Sequence, residues 1–253
     1  MAQAETYKVY SPFPVGSSPD ILVRRLFETV QLKTQDTFII INKPGGDGVI
    51  AFRSFIDDTS PRILATTTSL LANPSIDAYE HVKSLLFYYK LQTLLIATKD
   101  SKINSLNDVQ GRLNVGSAIR NADMLFRNTI QDPNVQIITY SGDVDVINGL
   151  FRKELDLANV ADASIIYKNN RDSFKVITNY EQAGISFGGG FVVPKSMGKD
   201  ELMKLNSDLN IALQDESFRK WLWNTLEKHP IGGKPEVLDK VVNDLKVYQN
   251  KHK

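Results

Sequence analysis

The sequence of 253 residues contains no cysteine. Disulfide bonds, thiolate metal sites and cysteine nucleophiles are therefore excluded, and the fold must rest on packing. Histidine is also scarce, since the chain has only His81, His229 and His252. None of the three lies in a loop rich in glycine and serine, where a catalytic base would be expected. The sequence thus predicts neither a metal site nor a catalytic site.

Excess charge and long apolar runs are lacking as well. Thirty Lys and Arg residues face 29 Asp and Glu residues, so the formal net charge is +1. The basic residues form no stripe of the kind that indicates nucleic-acid binding. No run approaches the roughly 18 apolar residues that span a bilayer. Residues 2–4, Ala-Gln-Ala, resemble the end of a secretory signal, with an ordinary frayed terminus as the alternative.

Short β-branched runs alternate with helix-period segments along the chain. Strands are predicted at 7–10, 37–41, 63–67, 93–98, 113–115, 135–139, 155–160, 174–178 and 190–193. Helices are predicted after Pro19, Asp47, Asn121, Asp143 and Asp162, and at 79–87, 199–213, 217–226 and 235–248. This alternation predicts an α/β fold with largely parallel sheets.

The strands divide into two sets, which predicts two lobes. Strands at 94–98 and 190–193 bracket the second set and are suited to carry the chain out of the first lobe and back. We therefore expect a discontinuous first lobe of residues 1–98 and 194–253, and a second lobe of residues 99–193. The two crossing strands would form a hinge.

Four strand-to-helix junctions are rich in Gly, Ser and Thr, at residues 11–20, 42–48, 66–69 and 115–121. Such junctions lie at the carboxyl ends of strands, where open α/β sheets bind ligands. In the first, Ser18 is predicted as the N-cap, and the amides from Gly16 to Ser18 can point at an anion. In the second, three glycines allow the backbone of the loop to approach a ligand closely, because no Cβ atom stands in the way. Helix capping and a bare turn are the respective alternatives.

No nucleotide cofactor is predicted. The loop at 42–48, NKPGGDG, lacks both the spacing and the terminal Lys-Ser/Thr pair of a Walker phosphate loop, and it is no G-x-G-x-x-G fingerprint. The hydroxyls of residues 66–69, including Thr67, can donate to a carboxylate or cap the next helix. Residues 140–143 and 159–164 are further polar segments that would line the opposite wall of a cleft between the lobes.

At this point the sequence resembles a known family, the Bug-type solute receptors of tripartite tricarboxylate transporters. Residues 12–20, PFPVGSSPD, followed by Arg24, resemble the family's PFPPGGSSD…R opening. Residues 42–48 resemble its NRPGAGG loop. Shorter motifs at 73–74, 116–117, 140–142, 181–184, 193–194 and 205–206 occur in the family's order.

The resemblance implies a type II periplasmic-binding-protein fold and an extracytoplasmic receptor that closes around a small di- or tricarboxylate or related acid. It implies delivery to membrane transporter subunits, a periplasmic location, no cofactor and a monomer. In such receptors two first-lobe loops hold the carboxylate through main-chain N–H groups, and the second lobe selects the rest of the ligand. The matching first-lobe positions are Phe13, Gly16, Ser17, Ser18, Gly45, Gly46 and Asp47. The matching second-lobe positions are Gly116, Ser117 and Asp162.

Two other functions stay open from sequence. One is a small α/β hydrolase-like enzyme that acts on a carboxylate-bearing substrate, and the other is an interaction module with an exposed apolar patch. Stabilisation by a small carboxylate would favour the receptor, whereas turnover would favour the enzyme.

Arg120 is a further candidate, because it falls beside the first turn of a predicted second-lobe helix. A cation there opposes the helix dipole by about 0.3–1 kcal/mol. A second ligand carboxylate would offset this, since the planar guanidinium can bind it with two parallel hydrogen bonds. The alternative is a solvated side chain or an ion pair with Asp123.

Arg120→Ala should therefore weaken binding of a dicarboxylate by about 1.5–3 kcal/mol, the range for a charge-assisted hydrogen bond. A matched monocarboxylate should lose little. Calorimetry with both ligands measures the difference. Equal losses, or no loss for either ligand, would remove Arg120 from the site.

Overall fold

The computed structural model describes residues 4–118, 130, 132–179 and 187–251. It divides into two compact units, Met1–Lys90 with Phe187–Leu245 and Leu91–Ser186 with Lys246–Lys253. Within the described ranges, no helix is long and apolar enough to cross a membrane. Arg120 and the helix predicted after Asn121 lie outside these ranges, as does the motif at 181–184.

Strands and helices alternate as the sequence predicts. The strands are β1 Thr6–Ser11, β2 Thr37–Asn42, β3 Arg62–Thr67, β4 Val82–Leu91, β5 Thr93–Thr98, β6 Leu113–Ser117, β7 Val135–Thr139, β8 Leu157–Ala161, β9 Phe174–Asn179 and β10 Phe187–Pro194. The described helices are α1 Ser18–Gln31, α2 Val49–Asp57, α3 Thr68–Leu71, α4 Asp143–Phe151, α5 Ile165–Asn169, α6 Lys199–Leu213, α7 Glu216–Leu226 and α8 Glu236–Lys251.

Each unit is built on a mixed five-stranded sheet. The first has the order β2-β1-β3-β10-β4, in which β1 runs parallel to β2 and β3 while β10 runs antiparallel to β3. The second has the order β7-β6-β8-β5-β9, in which β6 runs parallel to β7 and β8 while β5 runs antiparallel to β8 and β9. In both, the carboxyl ends of three parallel strands share one edge.

Helix α1 covers one face of the first sheet because its apolar residues recur at helical spacing. Those buried are Leu22, Val23, Leu26, Phe27 and Val30. The Phe27 ring lies 5.1 Å from the ring of Phe191 in β10 and 4.9 Å from that of Phe38 in β2. In the second unit, Val146 and Leu150 of α4 join Ala158 and Val160 of β8 in one core cluster.

Strand β4 corrects the helix predicted at 79–87. Only Ala78–Glu80 form a single 3₁₀ turn before the strand begins. The strand is buried continuously from Ser84 to Tyr89, so its sequence shows no alternation of apolar and polar residues. Periodicity cannot distinguish such a buried strand from a buried helix.

The crossing points between the units also differ from the predicted ones. They fall at 90/91 and 186/187, whereas the sequence suggested 98/99 and 193/194. The difference arises because β5 hydrogen-bonds to β8 and β9, in the second sheet, and β10 to β3, in the first. Strand propensity identified both segments but carries no information about which sheet each joins.

A run of three glycines lets β10 approach β4. A Cβ atom at Gly188 would stand 2.2 Å from the carbonyl oxygen of Tyr89, and one at Gly189 would stand 2.4 Å from the Tyr88 ring. The Tyr88 ring instead stacks on Phe191 at 4.5 Å between centroids. These glycines are therefore required by packing.

Gly188→Ala should lower the free energy of unfolding by about 1–3 kcal/mol, the usual cost of overpacking. Gly198→Ala is the control, because a Cβ atom added at Gly198 would have no neighbour within 4 Å and the φ angle there is −63°. Its effect should stay below about 1 kcal/mol, as expected at a helix N-cap. Urea unfolding measures both, and equal losses would contradict the packing argument.

Candidate ligand site

Loop 1, residues 12–17, connects β1 to α1. Two of its main-chain N–H groups donate to acceptors within or next to the loop. The N–H of Gly16 donates to Oδ2 of Asp20 at 2.9 Å, and the N–H of Ser17 donates to the Pro14 carbonyl at 3.1 Å. The N-cap of α1 is Ser17, so the predicted cap at Ser18 is displaced by one residue. Gly16 and Ser17 thus do not present the free amides that the sequence predicted.

The physical reason is that Asp20 supplies the anion at this helix N-terminus. Its side chain is 1% exposed, and it also accepts from Arg24 Nε at 3.0 Å and Asn42 Nδ2 at 2.7 Å. Asn42 Nδ2 lies 2.9 Å from the Phe13 carbonyl as well. The network joins loop 1 to the end of β2. Sequence analysis did not find this network, because its members are separated along the chain.

Loop 2, residues 43–48, leads from β2 into α2 and has left-handed backbone at four consecutive positions. The φ angles are 107° at Gly45, 56° at Gly46, 51° at Asp47 and 91° at Gly48. Glycine adopts these angles without strain, whereas a residue such as Asp47 does so less readily. Three of the four positions are accordingly glycine.

The amides of loop 2 differ from those of loop 1. The Gly48 N–H donates to the Gly45 carbonyl at 3.1 Å, and the Val49 N–H donates to the Gly46 carbonyl. Within the described part of the chain, the N–H groups of Gly45 and Gly46 have no hydrogen-bond partner, and both residues are exposed. Two main-chain donors therefore stand free at the N-terminus of α2.

The β3–α3 junction lies close to both loops. A Cβ atom at Gly48 would come within 3.0 Å of Leu70 in α3 and 3.3 Å of Pro12 in loop 1. Thr67 caps α3, because its Oγ1 accepts from the Leu70 N–H at 3.1 Å. The capping interpretation of Thr67 is thus confirmed, and its hydroxyl proton stays available for donation.

Tyr88 is a polar group near this edge that the sequence did not reveal. Its hydroxyl is fully buried and, in the described structure, has no hydrogen-bond partner. The ring occupies the space left by the missing side chain of Gly189, which pairs with Thr67 across the sheet. Burial raises the pKa of the Tyr88 hydroxyl well above its usual value. The sequence analysis predicted no strand over residues 82–91, so Tyr88 was not recognised as part of a sheet.

In the second unit, Gly116 has a packing role. A Cβ atom there would stand 2.3 Å from Cδ1 of Leu155, so the buried strand position admits no side chain. The neighbouring Ser117 lies 3.4 Å, Oγ to Nδ2, from Asn159, and its carbonyl accepts from the Tyr140 N–H at 2.8 Å.

Asp162 holds the start of β5. Its Oδ1 accepts from the Gln92 N–H at 3.0 Å, and its own N–H donates to the Gln92 carbonyl at 2.9 Å. The predicted ligand residue is therefore also a structural clamp at the crossing between units. In the described ranges, no group of three His, Asp or Glu residues could hold a metal ion.

The described histidines lie outside these loops. The His229 ring stacks on Trp223 at 4.8 Å, and the His81 ring meets the edge of Phe52 at 6.1 Å. Both contacts are those of ordinary packing.

Asp20→Ala should lower the free energy of unfolding by about 2–3 kcal/mol, because it removes a buried acceptor from charged and main-chain donors. Arg24 is partly exposed and can be rehydrated, which limits the loss. Asp57→Ala is the control, since Asp57 is exposed at the end of α2. Chemical unfolding of both variants checks the expectation. A loss below about 1 kcal/mol for Asp20→Ala would show that loop 1 does not depend on the network.

No family model matches this sequence. No curated protein matches it either. Solved structures, however, match almost the whole chain. The periplasmic binding protein BugD aligns with a TM-score of 0.81 and 17% identity, over 99% of this chain and 97% of BugD.

Two further matches come from Rhodopseudomonas palustris. A protein solved with adipate aligns with a TM-score of 0.84 and 15% identity, over 98% of this chain and 95% of its own. MatC, solved with bound malate, aligns with a TM-score of 0.76 and 15% identity, over 98% and 99%. These matches confirm the predicted fold class: the chain has the two-unit α/β fold of the Bug-type periplasmic solute-binding proteins.

Proposed function

We propose that this chain is an extracytoplasmic solute-binding protein that captures a small carboxylate for delivery to a membrane transporter. The observation that carries the proposal is the pair of free N–H groups of Gly45 and Gly46 at the N-terminus of α2. Main-chain donors at such a position favour an anion, because the helix dipole adds a partial positive charge.

The charges around loop 2 support recognition by the backbone. Lys43 is exposed at the start of loop 2, and Arg24 is bound to Asp20. A carboxylate that accepts from two amides needs no ion pair, and hydrogen bonds to an ionised acceptor are about twice as strong as neutral ones.

The structural matches support the class of ligand. Two proteins with this fold were solved with adipate and malate, which are both dicarboxylates. We therefore propose a small organic acid for this chain, with Gly45, Gly46 and Asp47 as the main anion-binding loop. Phe13, Ser18 and Thr67 are proposed to complete it.

The remaining sequence assignments stay predictions. Gly16 and Ser17 shape loop 1 through internal hydrogen bonds, while Ser117, Asp162 and Arg120 are proposed to meet the rest of the ligand. We further propose a periplasmic monomer that binds without catalysis and hands its ligand to transporter subunits. Solved proteins of similar fold are solute-binding proteins, which supports this over the hydrolase-like alternative.

A thermal-shift panel of mono-, di- and tricarboxylates tests the function directly. Ligand at 100 times its Kd adds about 2.7 kcal/mol of stability, which should raise the Tm by about 5 °C or more. Absence of stabilisation by every acid would contradict the proposal, and turnover of an acid derivative would favour the enzyme.

With the best acid from the panel, Gly46→Val should weaken binding at least about tenfold, which is about 1.4 kcal/mol. A branched side chain at φ of 56° displaces the main-chain donors. Lys43→Ala should cost less than about threefold, because a surface charge contributes little. Calorimetry measures both.

Gly111→Val is the matched control for backbone strain. Gly111 also has a left-handed φ, 77°, and no atom within 4 Å of an added Cβ. This variant should keep the wild-type affinity. A larger loss from Lys43→Ala than from Gly46→Val would show that charge, not the main chain, holds the acid.

A further inference from the structure

Ile50 is an exposed apolar side chain at the start of α2, close to loop 2. It is the second residue of the helix and is 49% exposed. The buried residues of α2 are Ala51, Phe52 and Phe55, so Ile50 lies outside the face that packs on the core. Single exposed apolar residues are ordinary on protein surfaces. The informative feature of Ile50 is therefore the direction of its side chain.

The Ile50 side chain reaches back over the glycines of loop 2. A Cβ atom added at Gly45 would stand 3.0 Å from Ile50 Cδ1, and one added at Gly46 would stand 3.5 Å from Ile50 Cγ1. Helix side chains tilt toward the N-terminus, and a β-branched residue has little freedom at χ1 in a helix. The helix therefore holds Ile50 beside the two residues whose N–H groups have no partner in the described structure.

The other contacts of these glycines are aliphatic as well. Apart from residues adjacent in sequence, the nearest atoms to an added Cβ at Gly45 or Gly46 belong to Ile50 and Val49. Gly48 is covered by Leu70 and by Pro12 of loop 1 in the same way. The main-chain donors of loop 2 are thus combined with neighbouring carbon atoms.

This combination determines what the loop can accept beside a carboxylate. An acid that accepts from the Gly45 and Gly46 N–H groups carries its α-carbon one bond beyond the carboxyl carbon, close to these donors. Burial of apolar surface against Ile50 is worth about fourfold in affinity for each methylene. A hydroxyl or ammonium group in that place loses water, and Ile50 offers it no hydrogen bond in return.

We propose that Ile50 is a specificity-determining residue that contacts the α-carbon of the bound acid. It makes the chain selective for acids whose α-carbon carries only hydrogen or alkyl groups over acids with a hydroxyl or ammonium group there. This proposal rests on the proposed carboxylate-binding function and adds the substrate class. Every residue that carries it belongs to one compact unit, Met1–Lys90 with Phe187–Leu245.

Matched acids test the proposal on the full chain. Calorimetry should compare the best unsubstituted acid of the thermal-shift panel with the analogue that has a hydroxyl on the α-carbon of every carboxylate. Butyrate with 2-hydroxybutyrate and succinate with tartrate are such pairs, whereas malate could present its unsubstituted end to loop 2. The unsubstituted acid should bind at least about fourfold more tightly, as expected for one buried methylene or more.

Ile50→Ala should reduce the preference within the pair to about twofold or less, because it removes the contact with the α-carbon. Alanine is the best helix former, so this variant should keep α2 folded. Ile50→Leu retains an aliphatic tip and should keep most of the preference. Ile211→Ala is the matched control, because Ile211 is also a helical isoleucine, in α6, and is 54% exposed. It should leave both affinities unchanged.

The outcomes separate this inference from the function beneath it. A preference below about twofold in the wild-type chain, or tighter binding of the hydroxy acid, overturns the inference and leaves the function intact. A ligand hydroxyl that donates to the Asp47 carboxylate would give the second result. Equal losses for the two acids in Ile50→Ala would show that Ile50 only supports the loop, which also overturns the inference. Failure of every acid to bind rejects the proposed function, and this inference with it.

Discussion

The buried carboxylate of Asp20 determines the conformation and hydrogen bonding of loop 1. It occupies the N-terminal turn of α1 and binds the Gly16 amide, Arg24 and Asn42. A charged group this deeply buried is stable only when its hydrogen bonds are complete. Loop 1 therefore folds around the Asp20 carboxylate. The N–H groups of Gly16 and Ser17 are hydrogen-bonded within the chain, so they are not available to a ligand.

This constraint leaves loop 2 as the proposed anion-binding loop. Asn42 connects the two loops, since the residue that binds Asp20 is also the last residue of β2. Beyond it the chain turns through four left-handed positions and exposes the amides of Gly45 and Gly46. The N-termini of α1 and α2 therefore differ. The Asp20 carboxylate accepts the Gly16 N–H at the start of α1, whereas the N–H groups of Gly45 and Gly46 before α2 have no partner in the described structure.

The sequence predicted the elements well where local patterns are decisive. The predicted helix at 199–213 and the predicted strand at 135–139 agree with α6 and β7 at both ends, because apolar spacing and flanking turn residues mark them. It failed at β4, where burial on both faces removes any periodic signal. The sequence likewise did not predict which sheet β5 and β10 join, because strand pairing depends on residues that are distant along the chain.

The candidate site was predictable only in part, for a similar reason. The cluster of glycines in loop 2 indicates unusual backbone angles, so Gly45 and Gly46 could be identified from the residue types of the loop alone. Occupation of the Gly16 amide could not, because it depends on where the Asp20 side chain folds back. The unsatisfied hydroxyl of Tyr88 is defined only by its burial and by the absence of a hydrogen-bond partner in the described structure, which no linear pattern records.

The free donors of loop 2 are main-chain groups, and this has a consequence for divergence. Alanine scanning cannot delete a backbone N–H, so a survey of side chains would pass over the groups that matter most there. For the same reason, the side chains around such a site can drift while its donors stay in place. Only the backbone angles must be inherited, and three glycines suffice to encode them. A main-chain site of this kind can therefore persist while the surrounding sequence changes.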